Sequence, residues 1–222
     1  MHTVIEPKIL YFGTSVVLIS TLNPDGTPNL APMSSAWWLN RSCMLGMSDK
    51  SQTVQNLLRH GECVLNLPSV DLIPAIDRLT LLTGSSPVPA TKAARGYRHE
   101  SDKFGTAQLT PAPSLAVEPP RVLECPVQLE AKLVRAHPFE QPSSLIALEV
   151  AIVRVHAEES ILSPLGANYI DPAKWKPMIM NFCEYFGLGD QLSSSRLAPV
   201  FGPKAASAST SQPQSTASDE RR

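Results

Sequence analysis

The chain has little with which to build a metal or disulfide site. Its four cysteines, Cys43, Cys63, Cys125 and Cys183, lie far apart and form no C-x-x-C pair. They read as reduced thiols, three of them buried as small apolar side chains. The histidines are as scattered: His60, His99, His137 and His156 show no ligand spacing and read as surface or strand residues, and His2 belongs to a mobile end. That distribution argues against a zinc centre. An excess of one charge is also missing. Nineteen Lys and Arg against 20 Asp and Glu leave a net charge of -1, which removes the electrostatic case for nucleic acid or an anionic membrane as partner. No apolar run approaches the roughly 18 residues of a membrane span. His2, Glu6 and Lys8 interrupt any early apolar stretch, so no secretory leader is expected and the protein reads as cytoplasmic.

What is present suits one β-rich domain. The 222 residues (24.1 kDa) can bury a sizeable core, and 43% hydrophobic with 18% charged residues is ordinary for a globular protein. The 21 prolines gather in the middle and at the tail, which favours strands with long irregular connections over a helical bundle. The domain is expected over residues 1–202. Residues 203–222, rich in Ser, Ala, Thr and Gln without periodicity, are expected to be disordered.

Ser15 to Thr21 is a β-branched run and predicts a buried strand. Asn23-Pro24-Asp25-Gly26 is a turn signal, so the chain should return from Pro28 to Trp38 as one second strand. Cys43 to Met47 predicts a third. A helix should start at Lys50 or Ser51, carry Val54, Leu57 and Leu58 as its apolar stripe, and end at Gly61. Cys63 to Leu67 is again a strand. Asp71 to Leu82 predicts a helix with Pro74 in its first turn. Residues 84–118 form a Pro-, Ser- and Thr-rich excursion with a short helix near Lys92 to Tyr97. Arg121 to Arg135 and Leu145 to His156 predict two long paired strands, and Pro177 to Leu188 closes the ordered part. About six strands around one short helix point to a closed antiparallel barrel.

Two polar stretches interrupt this apolar plan. The turn Ser48, Lys50, Ser51, Gln52 and Thr53 places hydroxyls, one cation and free helical N–H groups together, which suits a phosphate. The alternative is a plain cap by Ser51 with a solvated Lys50. The second stretch, Asn29 to Ser35, is polar where a buried strand should be apolar. Its Pro32 lacks a ladder donor, leaving neighbouring backbone groups free to meet a ligand. Here the alternative is a bulged edge strand with locally bonded serines. No strong nucleophile accompanies either stretch, so a borrowed cofactor is expected to carry the chemistry.

Together and in order, these segments resemble the flavin reductase-like family of FMN-binding split barrels. The matching text is Gly13 to Thr21, Asp25 to Ser35, Ser51 to Leu57 and Gly61 to Pro68. It continues with Lys103-Phe104-Gly105, Glu124 to Glu130 and the valine-rich strand ending at His156, and the likeness covers roughly residues 5 to 190. The resemblance implies a mainly β split barrel of Greek-key type and a homodimer with FMN at the subunit interface. It implies that Asn29, Ala31, Pro32, Met33, Ser34 and Ser35 face the ring and ribityl chain. Ser48, Lys50, Ser51, Gln52 and Thr53 would hold the phosphate, and Lys103 and Phe104 would lie near the ring. Many members carry arginine where this chain has Lys50, and the shortest ones lack the 84–118 excursion. The implied activity is FMN-dependent hydride transfer from NADH or NADPH to flavin, serving a monooxygenase or another electron acceptor. The alternatives are a flavoredoxin-like electron-transfer protein reduced by a protein partner, a barrel holding pyridoxal phosphate or haem, and a barrel without cofactor. Of Trp37 and Trp38, at least one should be core while the other stacks on a ligand or fills a dimer interface. Cys183 and Glu184 either border the flavin or merely pack.

Overall fold

A computed structural model describes residues 1–139, 144–166 and 168–201; the tail expected over 203–222 lies outside the described residues. Seven main strands build one antiparallel sheet: β1 (Val17–Leu22), β2 (Pro28–Met33), β3 (Ala36–Leu39), β4 (Ser42–Ser48), β5 (Glu62–Leu67), β6 (Val127–Phe139) and β7 (Leu145–Ala157). Their order is β2-β1-β5-β6-β7-β4-β3. The single strand expected from Pro28 to Trp38 is therefore two. It breaks at Ser34 and Ser35, and its halves occupy opposite ends of the sheet. Because only two residues separate Met33 from Ala36, the two sheet edges must meet there, and the sheet curls into a split barrel. Pro32 cannot donate to a ladder, so the sequence cannot carry regular pairing through this corner.

β1 is buried along nearly its whole length because both its faces are covered. Val17 and Ile19 point into the barrel with Leu45, Leu65, Leu148 and Val54. Val16 and Leu18 point outward into a second core with Leu30, Ile76, Leu79 and Phe104. That alternation is the period of two inherent to a strand. Helix α1 (Gln52–His60) plugs one end of the barrel with Val54 and Leu57, while Leu58 faces solvent. Gly61 takes φ +80° at its C-terminus, a left-handed position that favours glycine.

The expected helix over 71–82 is shorter: a 3-10 turn, Val70–Leu72, runs into α2 (Ile73–Leu79), with Pro74 in the first turn. Leu82 instead joins a two-residue strand, Leu82–Thr83, paired in parallel with Arg98–His99. The excursion carries two helices, α3 (Ala90–Ala93) and α4 (Lys103–Ala107), the second not expected from the sequence. Arg78 at the end of α2 donates to the carbonyls of Thr106 and Ala107, clamping α4 against the barrel. β6 begins only at Val127, since Arg121–Val122 pairs with Pro111–Ala112 in a separate small sheet. A closing hairpin, β8 (Ile179–Asn181) and β9 (Glu184–Phe186), pairs back onto Thr14–Ser15. No helix among the described residues is long and apolar enough to cross a membrane.

Candidate functional site

The corner at Ser34–Ser35 and the start of α1 lie beside each other, and the excursion closes over both. In the turn before α1, Ser51 N–H donates to the Ser48 carbonyl (3.0 Å) and Lys50 N–H to Ser48 Oγ (3.3 Å). Ser51 is the helix cap, its Oγ accepting from Val54 N–H at 3.2 Å. The N–H groups of Gln52 and Thr53 have no use within the helix.

A cleft of about 200 Å³ opens at this helix start. Ala31, Pro32 and Met33 of β2 form one side, and Ser48, Ser51, Gln52 and Thr53 form the next. Thr83, Gly84, Lys92, Tyr97 and Lys103 of the excursion complete it. A wider cleft of about 710 Å³ shares Met33, Met47, Ser48 and Tyr97 with the first, so the two form one trough. Its walls include Ser35, Trp37, Arg95 and Phe139.

A buried polar network backs the narrow end. Asn29, almost fully buried, donates from Nδ2 to Thr53 Oγ1 (3.2 Å) and Thr21 Oγ1 (3.3 Å). Asn56 donates to the same Thr21 hydroxyl (3.0 Å) and accepts from Gln52 Nε2 (2.9 Å). Lys103, only 4% exposed, donates to Asn29 Oδ1 at 2.9 Å. No carboxylate pairs with Lys103 among the described residues. Burial first, and the positive charge of Lys92 second, push the Lys103 ammonium down to about 8. Lys92 lies 3.5 Å from Thr83 Oγ1 and 5.5 Å over the Tyr97 ring, and burial lowers its pKa too. Two cations, neither in an ion pair among the described residues, therefore line the cleft at the start of α1, with Glu100 as the one carboxylate whose charge offsets Lys103. Gly84 belongs to the same cradle: a Cβ there would come within 2.6 Å of Asn29 Oδ1 and 3.0 Å of Gln52 Cγ.

Eight of the residues expected from the sequence line this narrow cleft: Ala31, Pro32, Met33, Ser48, Ser51, Gln52, Thr53 and Lys103. Ser35 lines the wider one. Asn29 stands behind the cleft as the hub of its network. Ser34 is buried at the strand break, Phe104 is buried in the outer core, and neither borders the trough. Lys50 is exposed on the turn and lines neither cleft; the cations that do are Lys92 and Lys103, with Arg95 in the wider part. Thr83, Gly84, Lys92 and Tyr97 were not expected. The only signal for them was an aperiodic stretch holding a lysine and a short helix, because nothing local says which way such a stretch folds back.

Trp38 packs against the barrel core, while Trp37 is 56% exposed at the wide cleft. Cys183 and Glu184 border neither cleft. Cys43, Cys63 and Cys125 are buried, and burial pushes the Cys43 thiol up to about 12, so none of the three offers a ready thiolate. His156 pairs with the fully buried Glu130 at 2.6 Å, away from the trough.

The model of the flavin reductase-like domain matches residues 9–171. Protein YdfE of Bacillus subtilis (strain 168) is 42% identical over 191 residues, covering 86% of this chain and 91% of its own. Among solved structures, flavoredoxin of Desulfovibrio vulgaris (Miyazaki F) superposes with a TM-score of 0.73 at 24% identity, over 89% of this chain and 99% of that one. Nitrilotriacetate monooxygenase component B from Bacillus cereus gives 0.66 at 21% identity, over 82% and 88%. The chain belongs to the flavin reductase-like family, and its fold is the mainly β split barrel of that family.

Proposed function

We propose that this flavin reductase-like protein binds FMN in the trough and works as an NAD(P)H-dependent flavin oxidoreductase. The observation that carries the reading is the buried Lys103 ammonium, which makes no ion pair among the described residues and lines the cleft with Lys92 beside the start of α1. A phosphate monoester carries close to two negative charges and several acceptor oxygens, which this end of the trough matches. Ser48, Ser51, Gln52, Thr53, Lys92 and Lys103 would hold the phosphate, Ala31 to Met33 the ribityl chain, and the wider cleft the ring. When bound, the flavin supplies the redox chemistry, accepting hydride from the nicotinamide. The chain's own part is to fix the anion at one end, hold the ring against Pro32 and Met33, and keep that face dry with Met47 and Tyr97.

Titration of the purified protein with FMN, followed by NADPH or NADH, tests this. Bound flavin that bleaches on mixing is the expected result. A protein that takes up no FMN overturns the reading.

A second reading is an FMN-binding electron-transfer protein reduced by a protein partner. It is favoured by the excursion, whose Thr83, Gly84, Lys92 and Tyr97 wall one side of the trough where a nicotinamide would have to enter. Stopped-flow mixing separates the two, since rapid bleaching by NADPH excludes a pure carrier.

We further propose a homodimer built on β3. Among the described residues this terminal strand is hydrogen-bonded on one side only, and it exposes Trp37 and Leu39 (71%), a combination that monomers normally avoid. Sedimentation showing a monomer with full flavin content removes the dimer without touching the cofactor. A monooxygenase or another oxidant is the proposed electron acceptor.

A further inference from the structure

We infer that Asn29 is a positioning residue for the phosphate end of the trough: it sets the Thr53 hydroxyl as a donor to the ligand, and so selects a flavin phosphate monoester over the same flavin without its phosphate. This rests on the FMN reading for the ligand, and on the direction of hydrogen bonds for the rest.

The direction starts at Lys103. An ammonium has three donors and no acceptor. The Asn29 atom 2.9 Å from Lys103 Nζ is therefore the carbonyl Oδ1, and the amide nitrogen faces Thr53 Oγ1 (3.2 Å) and Thr21 Oγ1 (3.3 Å). An amide NH2 only donates, so Thr53 Oγ1 accepts and its own hydrogen is left over. Thr53 is 3% exposed, and its hydroxyl donates to no group among the described residues. A buried hydroxyl with an unspent hydrogen lacks an acceptor. Thr53 lines the narrow cleft, where the proposed phosphate brings one.

Without the lysine the same amide can turn over, because the two ends of an asparagine side chain have nearly the same shape. With its ends exchanged, Thr53 would donate to Oδ1 and keep no hydrogen for a ligand. Lys103 thus acts twice at this end. It supplies charge, and through Asn29 it fixes the polarity of a hydroxyl to which it is not bonded.

Thr83, on the excursion, lines the same cleft and gives an internal comparison. It is 2% exposed, and its Oγ1 accepts from the Ser85 N–H at 3.3 Å and faces Lys92 Nζ at 3.5 Å. Its hydrogen is likewise unspent among the described residues. The groups that direct it are the Ser85 backbone and Lys92, not Asn29.

Asn29→Asp in the full chain tests the inference, with FMN and riboflavin as probes. A carboxylate of nearly the same shape only accepts. It keeps the Lys103 bond and draws the Thr53 hydrogen to itself, away from the ligand. Two quantities are read: the ratio of the FMN and riboflavin dissociation constants, and the hydroxyl protons that show scalar coupling to the phosphorus of saturating FMN by NMR. The parent should prefer FMN about a hundredfold or more, the scale of two charge-assisted bonds, with coupled protons from Thr53 and Thr83. Thr53→Val should lower the preference about tenfold, and Thr53→Ser should keep most of it. In Asn29→Asp the preference should fall further, since the new charge also offsets Lys103. The Thr53 coupling should vanish there while the Thr83 coupling stays.

Loss of both couplings in Asn29→Asp overturns the inference, because it marks collapse of the site and not a change of direction. A Thr53 coupling that is absent in the parent or survives in Asn29→Asp overturns it too, as does an FMN preference indifferent to Thr53→Val. Equal binding of FMN and riboflavin by the parent overturns it and leaves flavin binding itself standing. Binding of neither sinks the flavin reading, and inorganic phosphate then decides the role of Asn29. Broadening of its phosphorus line by the parent that weakens in Thr53→Val and in Asn29→Asp supports the inference, and broadening that is absent or unchanged overturns it.

Discussion

Replacing Lys103 by methionine should strengthen the fold and weaken the site at once. The lysine is 4% exposed, and its ammonium falls from an ordinary 10.5 to about 8, chiefly by burial. That gap corresponds to about 3 kcal/mol by which the charged side chain strains the flavin-free fold. Methionine of similar length removes the strain but leaves Asn29 Oδ1 without its donor, at a cost of about 1 to 3 kcal/mol. The flavin-free variant should therefore match or exceed the parent in stability at pH 7. Its affinity for FMN should nevertheless drop by about 1.5 to 3 kcal/mol, or ten- to 150-fold, as a charge-assisted bond is lost.

The pH dependence gives an independent check. The unfolded chain keeps its lysine proton up to about 10.4, while the folded flavin-free chain releases it near 8. The unfolded state then holds more protons across that window, so parent stability should rise from pH 8 to pH 10 and the variant's should not. A bound dianion favours the protonated lysine, so FMN affinity should fall as pH climbs above about 8. Below about 6 it should fall again as the phosphate takes up its second proton. Urea melts and FMN fluorescence titrations between pH 5 and 10 measure both. A variant that is much less stable yet binds FMN normally, or a parent affinity flat from pH 7 to 10, refutes the argument.

Gly84→Ala should weaken FMN binding at least tenfold with a smaller loss of stability, because the new Cβ displaces Asn29 Oδ1 and Gln52 at the cradle; normal binding would show that Gly84 is only a linker. Lys50→Ala should change FMN affinity by less than about 0.5 kcal/mol, the scale of an exposed charge near a ligand, and a larger loss in the same titration would show that Lys50 itself grips the phosphate. Ser51→Ala should cost about 1 kcal/mol of stability through loss of the α1 cap, read by chemical denaturation. Burial alone would raise the Glu130 carboxyl, but the Leu115 N–H, His156 and the Ala116 N–H together hold it below its usual range. Its contribution should be intact above about 4.5 and lost as pH falls below that. Glu130→Gln should be less stable at pH 7 and lack that acid limb, and a variant with unchanged stability and the same limb would exclude this role.

Where the sequence is periodic or punctuated, it announces the structure. Val17 to Ile19 is apolar without alternation because both faces are buried, and Ser51 and Gly61 bracket α1 within a residue of where their chemistry places them. The strand break at Ser34–Ser35 was only half legible. Pro32 signals broken pairing, but the return of β3 on the far side of the sheet depends on β4 pairing with β7, about 100 residues away. The helix α4 was hidden for a different reason. Its Asp102 cap accepts from Gly105 N–H at 2.8 Å, yet five residues are too few for a periodic pattern.

The two expected cations show what decides a site beyond residue type. Lys50 and Lys103 both followed from the family pattern, and only one faces the cleft. Lys50 sits on a turn whose N–H bonds to Ser48, a geometry that leaves its side chain in water. A solvated ammonium lies in high dielectric and keeps its water, so it contributes little to holding an anion. Lys103 arrives from the excursion already stripped of water and tethered to Asn29, so its field at the helix start is strong before any ligand comes. Arg78 and the second core hold α4 in place, and the strain of burying Lys103 is therefore borne by packing remote from the trough. The phosphate proposed for this site would release that strain. On that reading the site is less comfortable empty than full, and stability and binding should respond to Lys103 in opposite directions.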